Sequence, residues 1–303
     1  MSLANGLKVG LSVRPLHLVM LIGVMAIWGF NFVVAKTGLE QLPPMLLVAL
    51  RFGLVALVLV PFVPRPTGHW REVLAISFTL GFVHFALMFT GLTGIDAATA
   101  SILIQLQVPF AAILAAFVFG DMLGWRRLLG MVTAFLGVAI VAGEPRLEGQ
   151  YLYLAMVLAA SMCWSVANIQ IKRLQGVDGM TLNAWLGVFA TPQLLLGSLI
   201  LEEGQWQALA TADWRVLMAV VYQAIAVVVI GYGTWTWLLR QYDVNQAMPF
   251  TLLVTPIGVL SGVIFLGEPL TWAIVFGGLL TVVGVGIILV RRPRTTAPEA
   301  ERV

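Results

Sequence analysis

The stretch that decides the fold is residues 256–288, PIGVLSGVIFLGEPLTWAIVFGGLLTVVGVGII, because its pattern occurs twice in the chain. The earlier copy is residues 109–141, PFAAILAAFVFGDMLGWRRLLGMVTAFLGVAIV. Matching residues stand 147 positions apart, which is the difference between 256 and 109. The matching pairs are Pro109 and Pro256, Gly120 and Gly267, Asp121 and Glu268, Leu123 and Leu270, Trp125 and Trp272, Gly130 and Gly277, and Gly137 and Gly284. We interpret each copy as an apolar helix that ends before an acidic residue, followed by a glycine-rich helix that begins at a tryptophan. The chain therefore holds two copies of one membrane unit.

The composition predicts that lipid surrounds most of the chain. Of 303 residues, 60% are hydrophobic and 10% are charged, and the mean hydropathy is +0.97. A soluble domain carries about 25% charged residues, so we expect the lipid bilayer to be a main partner. The net charge of +3 comes from basic residues scattered over short loops, which is not the pattern of nucleic-acid binding. The single cysteine, Cys163, excludes an intramolecular disulfide.

Ten apolar runs of about 20 residues can be drawn, and each could cross about 30 Å of hydrocarbon as a helix. The runs are 17–36, 45–63, 73–93, 97–119, 124–142, 151–172, 181–201, 214–239, 244–266 and 271–291. The sequence therefore predicts an all-α polytopic membrane protein with ten transmembrane helices. We assign 1–16 to a cytoplasmic N-terminal segment and 293–303 to a cytoplasmic tail, and we assign 17–145 and 151–292 to two five-helix repeats.

The loops differ in charge from one side of the predicted membrane to the other. Thirteen lysines and arginines fall on the side of both termini and three fall on the opposite side. Positively charged loops stay in the cytoplasm, so we expect both termini to be cytoplasmic.

Each copy of the unit has five spans, which is an odd number, so the second copy enters the membrane from the opposite face. Inverted repeats are typical of secondary transporters, whose substrate site lies near the bilayer midplane between the repeats. The sequence therefore predicts transport by alternating access through a central cavity.

Four segments carry a resemblance to a known family. They are IWGFNFVVAKTGLEQLPPMLLVALRF (27–52), VFGDML (118–123), VIGYGTWTWLL (229–239) and FLGEPLTWAIVFGGLLTVVGVGIIL (265–289). They resemble the EamA branch of the drug/metabolite transporter superfamily. The resemblance implies ten helices in two inverted five-helix repeats in a bacterial inner membrane. It also implies export of small polar or zwitterionic metabolites, amino acids and cysteine-pathway metabolites above all.

Two ionisable residues lie within the apolar runs. Arg51 lies close to mid-membrane, where a charge is costly unless it is paired or wetted. It could hold a substrate carboxylate through two hydrogen bonds, or it could clamp backbone carbonyls where a helix is broken. His84 has a reference pKa of about 6.5 and is our candidate for proton coupling. The alternative is a neutral, hydrogen-bonded histidine that lines the cavity.

Tryptophan and asparagine recur together in the first helix of each copy. Trp28 and Asn31 are three residues apart, and Trp164 and Asn168 are four apart, so each pair shares a helix face. We predict a cavity with aromatic walls and amide hydrogen bonds. The alternative is an interface tryptophan with an asparagine contact between helices.

The fourth helix of each copy carries a proline, and the nearby polar residues are candidate substrate contacts. A proline inside a helix frees a carbonyl about four residues earlier, so we predict hinges at Pro109 and Pro256. Gln105, Thr251 and Thr255 would then face the substrate. A kink in which the threonines bond to their own backbone is the alternative.

The remaining marked residues fit structural roles. We predict that Tyr232 and Trp235 are anchors at the membrane interface. Glycines should let the fifth and tenth helices pack closely with their neighbours; they are Gly130, Gly137, Gly277, Gly278, Gly284 and Gly286.

The absence of several motifs excludes some classes of function. No Gly-rich Lys-Ser/Thr phosphate loop and no His/Cys cluster with metal-ligand spacing is present, so we expect no cofactor, no metal and no ATP-driven pump. No acid-base pair suggests an enzyme, and no mid-run Asp or Glu offers a counter-charge for cationic drugs. A broader-specificity drug/metabolite or nucleotide-sugar carrier and a non-transporting membrane sensor are the alternatives. We place the substrate site between helices 1, 2, 3, 4, 6, 8 and 9.

Overall fold

The computed structural model describes residues 14–120, 124–242 and 244–289. Within these ranges, ten helices are long and apolar enough to cross a membrane. They are α1 (Pro15–Leu39), α2 (Pro44–Phe62), α3 (Trp70–Gly94), α4 (Ala97–Val118), α5 (Trp125–Ala142), α6 (Tyr151–Arg173), α7 (Gly179–Leu201), α8 (Trp214–Leu239), α9 (Met248–Leu266) and α10 (Trp272–Leu289). These bounds confirm the ten predicted runs. Most of the predicted N-terminal segment, 1–16, and the whole predicted tail, 293–303, lie outside the described residues.

The repeated landmarks mark the ends of equivalent helices. Gly120 follows α4 with φ 68° and Gly267 follows α9 with φ 66°. Only glycine adopts this left-handed conformation without steric cost, so both helices stop at the glycine. Trp125 and Trp272 then begin α5 and α10. The acidic landmark Asp121 lies outside the described residues.

Four of the spans depart from a regular α-helix within the span, and α2 ends in a short 3₁₀ segment, Val60–Phe62. The third helix of each half contains a π-helical segment, Ser77–His84 in α3 and Tyr222–Tyr232 in α8. The fourth helix of each half contains a 3₁₀ segment, Ile104–Leu106 in α4 and Met248–Leu253 in α9. Interruptions of this kind are frequent at hinges and functional sites, and all four lie in helices that we predict to line the cavity.

The α5 and α10 helices pack against each other through glycines. A side chain on Gly284 would come within 2.6 Å of the Gly130 carbonyl oxygen, and one on Gly277 within 2.6 Å of the Gly137 carbonyl oxygen. The later glycine of one helix thus meets the earlier glycine of the other, so the two helices run antiparallel. Two equivalent helices that run antiparallel are what an inverted repeat requires.

Each of the other main helix contacts has an equivalent in which helices of the first and second halves are interchanged. Helix α2 packs on its equivalent α7, and α4 packs on its equivalent α9. Helix α1 packs on α9 as α6 packs on α4, and α1 packs on α8 as α6 packs on α3. Each contact therefore has a counterpart in which the two halves change places. This scheme supports the inverted repeat, which itself stays a prediction.

At one end of the molecule, carboxylates of the second half hold helix starts of the first half. The Glu202 carboxylate accepts a hydrogen bond of 2.7 Å from the backbone N–H of Met45, in the first turn of α2. The Glu268 carboxylate accepts one of 2.7 Å from the N–H of Ala97, the first residue of α4. Lys36, near the end of α1, lies 3.9 Å from Glu268. This end, which we call the outer end because the loop charges predict that it faces outside, is therefore tied together by polar contacts.

Candidate functional site

Arg51 is a buried charge among aromatic rings. It is 2% exposed, and its guanidinium carbon lies 4.5 Å from the ring centre of Phe85 and 5.2 Å from that of Phe52. Its Nε has no hydrogen-bond partner, and no described Asp or Glu forms an ion pair with it. Burying a charge without a partner is costly, and the rings offset part of that cost through cation–π contact. A negatively charged group of a bound molecule would supply the missing partner.

His84 contacts Phe85, which packs on Arg51, and it also contacts two residues of α6. Its Nδ1 lies 2.8 Å from the backbone carbonyl oxygen of Ala160. A carbonyl oxygen only accepts, so Nδ1 carries the proton in this contact. The imidazole also lies 4.7 Å from Phe85 and 5.0 Å from Trp164, measured between ring centres. Phe85 lies between Arg51 and His84, and His84 in turn contacts Trp164, so these residues form one chain of contacts. The proton-coupling role of His84 stays a prediction.

On the other side of the site, Trp28 of α1 lies among aromatic residues of α8. Its ring centre is 5.0 Å from that of Tyr232 and 5.7 Å from that of Trp235, and its Nε1 donates to the carbonyl of Val227 at 3.4 Å. The interpretation of Tyr232 and Trp235 as interface anchors is therefore wrong, because both rings pack inward against Trp28 and Trp235 is only 8% exposed.

Four of the helices that we predict to line the cavity present buried polar atoms without partners at a similar depth. Gln193 Oε1 of α7 is also unpartnered at this depth, but it lies at the grooves between α3 and α7. Arg51 lies seven residues into α2, Gln105 eight residues into α4, Gln223 nine residues into α8, and Asn31 eight residues before the end of α1. At 1.5 Å per residue, these positions are about 10–14 Å from the outer end. The unpartnered atoms are Asn31 Oδ1, Arg51 Nε, Gln105 Nε2, and both amide atoms of Gln223. We call these four residues the unpaired layer.

Each orphaned atom in the unpaired layer carries a desolvation cost of about 1–3 kcal/mol. Water or a polar ligand would remove that cost. Gln223 was not among the site residues predicted from the sequence. Its position in an apolar run is a signal, but that signal does not distinguish it from a packed glutamine.

Asn168 lies near the C-terminal end of α6, five residues before Arg173, and not at the depth of the unpaired layer. Asn168 and Val166 are two residues apart, hence about 200° apart around α6, and both are exposed. The helix is therefore reached from two opposite sides at this level. Ser161 lies on the same face as Asn168, seven residues earlier, and is fully buried. This face of α6 is therefore exposed near its C-terminal end at Arg173 and covered nearer the outer end.

The two threonines of α9 use their hydroxyls on backbone carbonyls. Thr251 Oγ1 donates to Met248 at 2.7 Å within the same helix, and buried Thr255 Oγ1 donates to Ser101 of α4 at 3.3 Å. These contacts match the alternative prediction for Thr251 and make Thr255 a link between α4 and α9. Both Pro109 and Pro256 lie just after a 3₁₀ segment, which is where a bend of the helix is expected.

No other candidate site emerges from the described residues. They contain no group of three or more His, Cys, Asp or Glu that could hold a metal ion. Two apolar grooves, of about 510 and 260 Å³, lie between α3 and α7 around Phe78 and Gln193. Phe78 is 54% exposed on the outside of the bundle, and neither groove includes a residue of the predicted site. The buried polar residues between the two halves are therefore the best candidate.

Comparisons with known proteins place most of the chain in a family of transporters. The profile of the EamA-like transporter family matches residues 16–143 and 151–290. A protein of Salmonella typhimurium (strain LT2) named "Probable amino-acid metabolite efflux pump" is 35% identical, over 87% of this chain and 91% of its own length. A protein of the same name from Escherichia coli (strain K12) is 33% identical over the same shares. A crystal structure at 18% identity has a TM-score of 0.60, covering 90% of this chain and 96% of that one, which shows a shared fold alone.

Proposed function

The chain belongs to the EamA-like transporter family, and from this premise we propose that it exports amino acids or their derivatives through a site between its two halves. The family and the similar efflux pumps make it a multi-pass membrane transporter and not an enzyme. The observation that carries the substrate proposal is buried Arg51, which has no carboxylate partner among the described residues.

The chemistry of the site fits a small carboxylate with an apolar body. A guanidinium binds a carboxylate through two parallel hydrogen bonds, and removal from water strengthens that attraction. Phe85, Trp164 and Trp28 supply apolar walls for the rest of the molecule. Small-molecule sites are mostly apolar with a few well-placed polar groups, and this site has that character.

The two ends of the molecule suggest which step of transport this conformation represents. The outer end is held by Glu202 and Glu268, whereas Asn168 is exposed near the other end of α6. We propose that this other end is open and lies in the cytoplasm of a bacterial cell, and that the outer end is closed and lies outside the inner membrane, with cytoplasmic termini. Export would begin from this state, because a metabolite enters from the cytoplasm and the halves then rock to open the outer end.

Transport by purified protein in liposomes tests the proposal. Unlabelled amino acids, each at the same concentration, compete against counterflow of a labelled one, and the best competitor becomes the probe. We expect competition to require a free carboxylate, so the amide of the same amino acid should compete poorly. If no amino acid is transported, or if acids and amides compete equally, the proposal is wrong.

Arg51 provides the corresponding mutational test. Arg51→Met should weaken apparent affinity for the probe about 10- to 100-fold, since a hydrogen bond to a charged group is worth about 1.5–3 kcal/mol. Folding should survive, because replacing a buried charge by an apolar side chain of similar size is often neutral or stabilising. Arg126→Met is the control, since Arg126 lies exposed at the start of α5. Unchanged affinity in the folded Arg51→Met protein would remove Arg51 from the site.

A further inference from the structure

We propose that Gln223 of α8 positions the substrate by accepting a hydrogen bond from its amino group, while Arg51 holds its carboxylate. This inference rests on the proposed function and adds a second point of recognition to it. Gln223 is 0% exposed, and neither its Oε1 nor its Nε2 has a hydrogen-bond partner. An amide that is fully buried and unpartnered at both ends costs stability, so its presence in an apolar helix calls for a ligand.

Helix packing places Gln223 level with Arg51. A side chain on Gly38 of α1 would lie 2.8 Å from Leu47 of α2 and 3.3 Å from Ala219 of α8. Leu47 and Ala219 therefore lie at one level and face the same part of α1. Arg51 and Gln223 each follow four residues later, which puts them about one turn deeper on the same faces.

The neighbouring contacts hold α8 in that position. Tyr222, the residue before Gln223, donates a hydrogen bond of 2.9 Å from its hydroxyl to the carbonyl of Ile27. The π-helical segment that contains both residues packs on α1 and on α2. Packed helices have axes about 8–10 Å apart, so side chains as long as arginine and glutamine can reach one small molecule between them.

The unpartnered atoms of the unpaired layer complement a zwitterion. Arg51 Nε and Gln105 Nε2 are donors, and Gln223 Oε1 and Asn31 Oδ1 are acceptors. A carboxylate only accepts hydrogen bonds and an ammonium only donates them. The middle of the described spans contains no Asp or Glu, so neutral amide oxygens are left to receive the ammonium group.

The test compares the probe amino acid with its desamino acid, in which hydrogen replaces the amino group. In the wild type, losing a hydrogen bond to a charged group should lower apparent affinity about tenfold or more. Gln223→Met keeps the length of the side chain and removes its polar atoms. We expect it to bring the affinity ratio of the two acids to within about twofold, and to leave the desamino acid's own affinity nearly unchanged.

Gln193→Met is the matched control, because Gln193 of α7 lies outside the site and bonds to Ser77 at 3.2 Å. It should keep the wild-type ratio. A merely structural glutamine would alter stability or maximal rate and leave the ratio unchanged, and an unchanged ratio in Gln223→Met overturns this inference alone. If neither acid competes in the wild type, the proposed function fails and the inference fails with it.

Discussion

Glu268 and the residues of the unpaired layer differ in how their polar atoms are satisfied. At the outer end, Glu268 accepts hydrogen bonds from the backbone N–H groups of Ala97 and Ala98, at 2.7 and 2.9 Å. About two turns deeper, Arg51 and Gln223 lack such partners. The satisfied carboxylates stabilise the outer end, and the orphaned groups are the ones that we propose contact the substrate.

Glu268 leads to a prediction about pH and stability. Burial raises the pKa of its carboxyl group, and the charge of Asp96 adds to this, although the N–H groups of Ala98 and Ala97 and the charge of Lys36 oppose it. The folded chain therefore binds this proton more readily than the unfolded chain does. Its contribution to stability is full below the unfolded value of 4.5 and is lost as pH rises through the raised pKa.

Glu268→Gln removes the titration and some of the helix-start hydrogen bonds. We expect the wild type to melt above the variant, with a difference that shrinks as pH rises from about 4 to 8. Thermal unfolding in detergent measures it, and Glu148→Gln, on an exposed loop, is the control. A difference that is independent of pH, or that grows as pH rises, would contradict the assigned direction.

The sequence identifies some site residues and misses others for a physical reason. Arg51 and His84 stand out because a charged or titratable group is rare in an apolar run. Phe85 does not stand out, because aromatic residues are common in membrane helices and the sequence alone does not distinguish this one from the others. Whether Gln223 or Thr251 is already hydrogen-bonded depends on the neighbouring backbone, and that is decided only when the helices pack.

At the scale of helices, equivalent positions carry equivalent irregularities. The third helices contain π-helical segments and the fourth helices contain 3₁₀ segments. Regular helices with glycine contacts, α5 and α10, pack against each other. The irregular helices surround the candidate site, and the regular pair joins the two halves.

The α5–α10 contact predicts a clear difference between two glycines of one helix. A methyl group on Gly284 would lie 2.4 Å from the backbone nitrogen of Ala134, and backbone cannot move aside cheaply. Gly284→Ala should therefore destabilise the protein by about 1–3 kcal/mol. A methyl group on Gly286 would meet only Leu252, at 3.5 Å, which is an ordinary contact.

Gly286→Ala is thus the control, and it should be neutral or slightly stabilising because alanine favours the helix. The fraction of monodisperse protein left after heating in detergent compares the two variants. Equal melting of Gly284→Ala and the wild type would show that the two helices are not held in this close contact.

At the scale of the whole molecule, the sequence predicts how many helices there are and where they begin and end, but not their partners. Runs of about 20 apolar residues are enough to predict the helices, because the thickness of the hydrocarbon core fixes the length of a spanning helix. Partners follow from shape: a side chain on Gly187 of α7, for example, would come within 2.8 Å of the backbone carbonyl oxygen of Phe52 in α2. Such fits depend on three dimensions, and the repeated landmarks reveal only that each contact should occur twice.

The central claim is that one unit is used twice in opposite orientations, with the substrate site between its copies. Trp125 and Trp272 are equivalent landmarks that begin α5 and α10, and they are 70% and 77% exposed. Trp125→Cys and Trp272→Cys, each in a Cys163→Ala background, place one thiol at the same point of each copy. A membrane-impermeant thiol reagent is then added to intact and to permeabilised cells.

Labelling of these two thiols tests the claim most directly. An inverted repeat with cytoplasmic termini predicts that intact cells label the Trp272→Cys protein and spare the Trp125→Cys protein, and that permeabilised cells label both. Labelling of Trp125→Cys alone would keep the inversion and reverse the orientation of the chain in the membrane. If intact cells label both variants equally, or if they spare both while permeabilised cells label both, the two copies face the same way and the inverted repeat is contradicted.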